Sequence, residues 1–101
     1  MEERYKSFRD FYPFYLSQHQ NVTCRRLHFA GTALVILTAV YALFSLELTP
    51  LILMPVFGYG FAWVGHFVFE KNRPATFTYP FYSLVGDFVM FKDILSGKIP
   101  W

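Results

Sequence analysis

Five residues of this chain have types and spacings that bear on chemistry: His19, His28, His66, Glu70 and Asn21. His66 and Glu70 stand four apart. At that step an α-helix sets two side chains on one face, so the pair can offer one ion two ligands, or a ligand and the carboxylate that orients it. Imidazoles with a carboxylate suit a divalent transition metal, and a set with open positions suits non-haem iron(II), although the same donors accept zinc. His19 precedes His28 by nine residues, which on one unbroken helix would aim the two rings in opposite directions. Asn21 between them is a good N-cap, so a break there would fold His19 back over His28. Two readings stand open: a functional cluster of three histidines beside Glu70 and Asn21, or separate interfacial imidazoles bonded to backbone carbonyls.

The elements that must position these residues are apolar. Of 101 residues 54% are hydrophobic, 22% aromatic and 16% charged, against about 25% charged in a typical soluble domain. The composition excludes a disordered chain, and the scattered Gly and Pro exclude a collagenous one. A net charge of +2 is a weak reason to expect nucleic acid. One cysteine, Cys24, makes neither an intrachain disulfide nor a multi-cysteine zinc site. No charged residue occurs from Phe29 to Leu46, nor from Leu48 to Phe69 with His66 neutral. Each run has the length that crosses a hydrocarbon core of about 30 Å. The sequence thus predicts one all-α integral membrane domain over 1–101, a two-span helical hairpin with spans at 27–47 and 50–70. Thr49 is expected as the N-cap of the second span, Pro50 as its first residue, Pro55 as a kink, and Gly58 and Gly60 as points of close helix approach. Measured from Thr49, His28 and His66 differ in depth by about 6 Å, so the two can meet.

Basic residues set the orientation. Arg4, Lys6, Arg9, Arg25 and Arg26 precede the first run and Lys71, Arg73, Lys92 and Lys98 follow the second, while the turn has none; both termini are expected on the cytoplasmic side. The Met-Glu-Glu-Arg start does not read as a signal peptide. At 3–19, Tyr5, Phe8, Tyr12, Tyr15, Leu16 and His19 recur at helical steps, predicting an amphipathic interfacial helix that bends or restarts at Pro13. The cluster from Phe11 to Tyr15 reads as an aromatic belt. A second interfacial or re-entrant helix is expected at 79–95, with Phe81, Leu84, Val85, Phe88 and Leu95 on one side and Ser83 and Asp87 on another. Asp87 is expected to cap a polar network or to reach a metal.

Two stretches carry a family resemblance. Phe14-Tyr15-Leu16-Ser17-Gln18-His19-Gln20-Asn21, with His28 nine residues after His19, resembles the first signature of the Mpo1-like membrane proteins. Gly65-His66-Phe67-Val68-Phe69-Glu70-Lys71-Asn72-Arg73-Pro74-Ala75 is similar to their Gly-His-x-x-Phe-Glu-x-x-x-Pro-Ala block. With the tail from Ser83 to Leu95, the resemblance covers nearly the whole chain. It implies an iron(II)-dependent dioxygenase that takes a long-chain 2-hydroxy fatty acid and O2 to the fatty acid one carbon shorter, the α-oxidation reaction of lipid metabolism. The implied iron ligands are His19, His28 and His66. The larger eukaryotic members have a further histidine between the two signatures that this chain lacks, and Asp87 has no secure counterpart in them.

The residues are consistent with that chemistry. A 2-hydroxy acid can chelate a metal through its hydroxyl and carboxylate and leave a position for O2 if the protein supplies three or four ligands. All four electrons come from the substrate, and no Gly-rich dinucleotide fingerprint is present. Glu70 is expected as a fourth ligand or the orienting partner of His66, Asn21 as a hydrogen-bonding neighbour of the site, and Arg26, Lys71 or Arg73 as holders of the substrate carboxylate. Expected partners are a lipid substrate, O2, the membrane and a second copy of the chain, and the expected location is a bacterial cytoplasmic membrane. The rivals are a non-enzymatic lipid-binding or scaffold protein with structural histidines, and a haem-binding electron carrier using two of them.

Overall fold

The structure is a computed structural model in which residues 5–101 are described, so Arg4 and the start of the expected N-terminal helix lie outside the described residues. Among these the chain is all-helical, with α1 at Phe8–Ser17, α2 at Val22–Ser45, α3 at Leu53–Val64 and α4 at Pro80–Leu95. A 3-10 turn over Thr49–Ile52 leads into α3, a π-helical turn over Gly65–Glu70 extends it, and a 3-10 turn over Ala75–Phe77 precedes α4.

Local chemistry sets the helix boundaries. The Ser7 side chain accepts the Asp10 N–H to start α1, which then runs through Pro13 rather than restarting there. Asn21 accepts the Cys24 N–H and starts α2, as its N-cap character predicts. Arg25 and Arg26 therefore lie inside the first turns of α2, ahead of the expected span start at residue 27. At 24 residues α2 is about 36 Å long. Leu46 closes it in the left-handed region, φ 57°, a place more often held by Gly, and returns its N–H to the Ala42 carbonyl. Leu48 rather than Thr49 occupies the cap position before the next turn, and no side chain caps it. Thr49 and Pro50 are instead its first two residues, where the missing proline N–H costs nothing.

The hairpin closes at Gly31 rather than at the glycines of the second run. A Cβ on Gly31 would lie 2.9 Å from both the Phe57 carbonyl oxygen and the Phe61 Cβ, so α2 and α3 come together only because that atom is missing. Gly60 faces open space. The stretches Val22–Ser45 and Thr49–Glu70, each containing an 18-residue window of mean hydropathy 1.9 and 1.6 respectively, are long and apolar enough to cross a membrane. Only about a fifth of each window is buried, 22% and 17%. The core helix of a soluble protein would hide its apolar side chains, whereas here Leu37, Phe44, Ile52 and Val56 stand exposed.

The flanking helices pack on each other. Phe11 and Tyr15 of α1 are fully buried against Met90 and Ile94 of α4 and against Ala75, with Tyr5, Phe14, Tyr79 and Tyr82 in ring contact around Phe11. The expected aromatic belt is thus partly a core. Helix α4 shows its apolar side outward: Phe81, Leu84, Phe88 and Leu95 are exposed while Ser83, Gly86, Met90 and Asp93 are buried. Two hydrogen bonds fix α1 on α4, Tyr12 Oη donating to Asp93 at 2.8 Å and Tyr15 Oη donating to Asp87.

Candidate metal centre

The break between α1 and α2 brings the histidines together. His19 lies in the loop that leaves α1, His28 in the second turn of α2, and His66 in the π-helical turn beyond α3. All three are buried, at 2%, 4% and 2% exposure. Their ring centroids lie 4.4, 4.5 and 4.7 Å apart, each pair set edge to face. One coordinating atom from each lies within 4.8 Å of the others, and His19 Nε2 is 3.2 Å from His28 Nε2.

What holds each ring decides which nitrogen is free. His19 Nδ1 donates to the Tyr15 carbonyl at 2.6 Å and His28 Nδ1 to the Cys24 carbonyl at 2.8 Å. His66 Nδ1 donates to Asn72 Oδ1 at 2.7 Å. The Asn72 amide is itself fixed, because its nitrogen donates to both the backbone and side-chain oxygens of Gln18 at 3.2 Å. Carbonyl oxygens only accept, so every Nδ1 carries the proton and every Nε2 keeps a lone pair. Three neutral imidazoles thus turn their lone pairs toward one buried centre. That arrangement is repulsive unless a proton or a cation lies between them. Burial, followed by the neighbouring His28 and His66, holds the His19 pKa well below the ordinary imidazole value. This favours the uncharged form that a metal requires.

Glu70 takes a different place from the one its spacing suggested. Its carboxylate accepts the backbone N–H groups of Gln20 at 3.2 Å and Asn21 at 2.7 Å, placing a negative charge at the N-terminus of α2. Asn72 takes the role of orienting His66. The hydrogen bonds of Asn21 serve the helix start: its side chain caps α2 and its N–H is held by Glu70. Arg26 lies 5.0 Å over the Trp101 ring and Arg73 5.1 Å over the Phe77 ring, and Lys71 is an exposed C-cap at φ 61°. None of these three cations lines the space beside the histidines. Arg25, in contrast, donates to the His19 carbonyl at 3.2 Å and steadies the loop.

That space is a cavity of about 30 Å³, walled on its other side by α4. This is room for a water or two. Tyr15 stacks on His19 at 4.1 Å and covers Gly86, where a Cβ would lie 2.9 Å from the Tyr15 ring. Asp87 faces the cavity and accepts from Tyr15. Burial pushes its carboxyl up to about 7, the Tyr15 hydrogen bond opposing this in part. The buried Ser83 hydroxyl, one helical turn earlier, lines the cavity with no hydrogen-bond partner.

A family model described as 2-hydroxy-palmitic acid dioxygenase Mpo1-like matches residues 5–99. The chain belongs to the Mpo1-like family. No curated protein and no solved structure matches it. The donor set fits the resident metal that a dioxygenase of the Mpo1-like kind implies, since three imidazoles with every outer nitrogen engaged is how metal-binding histidines are usually held. Sequence reasoning missed Asn72 and the two backbone carbonyls. The signal for Asn72 was local: Asn72-Arg73-Pro74 ends a helix, and an asparagine at a helix end has its side chain free to reach back.

Proposed function

We propose that this protein is an iron(II)-dependent dioxygenase that converts long-chain 2-hydroxy fatty acids to the fatty acid one carbon shorter. The observation that carries the reading is the convergence of three buried Nε2 lone pairs, each ring fixed through its Nδ1. His19, His28 and His66 would hold the metal, and Asn72, the Tyr15 carbonyl and the Cys24 carbonyl would keep the rings aimed. Bound iron(II) would supply the electron transfer to O2 that these side chains lack. The overall reaction balances as 2-hydroxy acid plus O2 giving the shorter acid, CO2 and water, with all four electrons drawn from the substrate.

The chain's own residues would do the rest. Ser83 offers a hydroxyl to the polar head of the substrate, and Asp87 can accept the proton of the 2-hydroxyl, its pKa of about 7 allowing it to release that proton again near neutral pH. Tyr15, its phenol held well above its ordinary pKa by burial and by Asp87, stays a donor and keeps the Asp87 carboxyl in place. The exposed apolar stretches of α2 and α3 support insertion as two membrane spans, and the basic residues at both flanks support a cytoplasmic location for the histidine end.

The test is oxygen consumption by purified protein given a long-chain 2-hydroxy acid under iron(II), with metal content measured on the same sample. Uptake coupled to the acid one carbon shorter, and absent after His66→Ala although the variant still inserts, is the expected result. Retained turnover after all three histidines are replaced would overturn the assignment. Protein with neither metal nor uptake would be a lipid-binding or scaffold protein.

A further inference from the structure

The chemistry above uses the small cavity and leaves unexplained a larger hollow beside it. A groove of about 260 Å³ runs between α2, α3 and α4, walled by Thr32 and Val35, by Met54 and Gly58, and by Phe88. Tyr59, Leu84 and Asp87 line both the groove and the cavity, so the two spaces meet at these side chains. On the cavity side stand the three histidines and the unpartnered Ser83 hydroxyl. On the groove side the wall is almost wholly apolar and follows the span: Met54 precedes His66 by 12 residues, about 18 Å of helix. Gly58 keeps the hollow open. A Cβ there would come no closer than 3.5 Å to Val35 Cγ2, so this glycine leaves space between α3 and α2 rather than bringing them into contact.

A metal-competent chamber set next to an apolar groove along a helix pair, with only the side chains of Tyr59, Leu84 and Asp87 between them, has the order of a single-chain amphiphile, head first and tail after. We propose that the groove between α2, α3 and α4 is the acyl-chain site of this protein, occupied by the tail of a long-chain acid whose head lies at Ser83 and the histidines. The identity of that head rests on the function proposed above, while the tail site rests on the wall of Tyr59, Leu84 and Asp87 that the two spaces share. The groove then sets chain length. A side chain at position 58 shortens the space available without touching the histidines, Ser83 or Asp87.

The experiment uses the full chain in lipid nanodiscs and a 2-hydroxy fatty acid bearing a diazirine at mid-chain, with labelled residues located by mass spectrometry. Labelling at Val35 and Met54, displaced by unlabelled 2-hydroxy acid and reduced at least tenfold by Gly58→Leu, is expected. Val35→Phe fills the groove from the opposite wall and should act alike, which guards against a folding defect peculiar to either variant. Where turnover is measurable, both should lose long acids at least tenfold while keeping short ones. Equal labelling by a phospholipid with the same diazirine, undisplaced by the acid, would make the groove ordinary lipid-facing surface and overturn the proposal. Turnover with labels elsewhere would overturn the groove and leave the reaction standing. Displaceable labelling without turnover would support the groove and count against the reaction.

Discussion

At one end of the α2–α3 hairpin Leu46, Leu48 and Ile52 stand exposed, whereas at the other His19, His28 and His66 are almost completely enclosed. A water-soluble protein places these classes the other way round. Helix α4 repeats the inversion within a single element, turning Phe81 and Leu95 outward and Ser83 and Asp93 inward. The difference teaches that the hairpin encloses polar groups at one end and leaves apolar ones uncovered at the other, while the apolar core lies between α1 and α4. The enclosed end holds each imidazole by its Nδ1 and leaves the Nε2 lone pairs and the Ser83 hydroxyl for a ligand, and the apolar end finds its stabilisation in whatever surrounds it. A hydrocarbon solvent explains both at once, because it accepts exposed Leu and Phe and penalises every unpaired polar group.

The sharpest way to break this comparison is to put a charge on the apolar surface. Leu37, near the middle of α2 and 63% exposed, would lie at the centre of the hydrocarbon. Leu37→Asp should oppose insertion by about 3–4 kcal/mol on the translocon scale, read as loss of the protein from the membrane fraction. On a water-facing surface the same change would stay within about 0.5 kcal/mol. Undiminished stability of the variant, free of membrane, would refute the spanning reading.

The enclosed end can be tested by separating what holds the metal ligands from what holds the backbone. Asn72→Ala removes the partner of His66 Nδ1 and frees both tautomer and ring orientation. Metal affinity should fall about 10- to 100-fold, measured by titration with iron(II) or zinc in competition with a chelator. Glu70→Ala should instead cost about 2 kcal/mol of thermal stability, through two backbone N–H groups left without a charged acceptor, with a much smaller change in metal affinity. A Glu70 effect on affinity as large as that of Asn72 would restore Glu70 to the metal's own ligand set.

Much of this was readable before any coordinates. The two uncharged runs predicted the hairpin, and Asn21 predicted the break that folds His19 over His28, because a cap is a local signal. The resemblance pointed to the same three histidines. What was hidden depends on which way a side chain turns once several elements have met. The i,i+4 step placed Glu70 beside His66, but the π-helical turn and the left-handed Lys71 bring Asn72 to the ring and leave Glu70 for the start of α2. The apolar and polar sides of α4 were separated correctly, yet periodicity alone does not say which side faces in. Gly31 and Gly86 act by close approach to another helix, and neither carries a local mark of that role.

Asp87 gives the smallest and most diagnostic effect. Its carboxyl is raised from about 3.8 to about 7, chiefly by burial, so the folded protein binds a proton that the unfolded chain releases above pH 4. For an acid raised in this direction stability is greatest below the unfolded pKa and declines as pH rises toward the folded one, flattening beyond it. Between pH 6 and 8 the loss should be about 1 kcal/mol. The measurement is the difference in thermal midpoint between the chelator-treated wild type and Asp87→Asn across this range, the variant retaining an acceptor for the Tyr15 hydroxyl; the wild type should lose ground relative to the variant as pH rises. The other titratable groups around the cavity do not imitate this slope, and their own changes with pH are shared by the variant and cancel in the difference. Tyr15 is held protonated, and a buried neutral imidazole such as His19 loses stability as pH falls, the opposite sign. A wild-type midpoint that runs parallel to that of the variant would mean that Asp87 is ionised throughout the range. Its carboxylate would then accept from Tyr15 as a fixed charge facing the histidines and would carry no exchangeable proton at neutral pH.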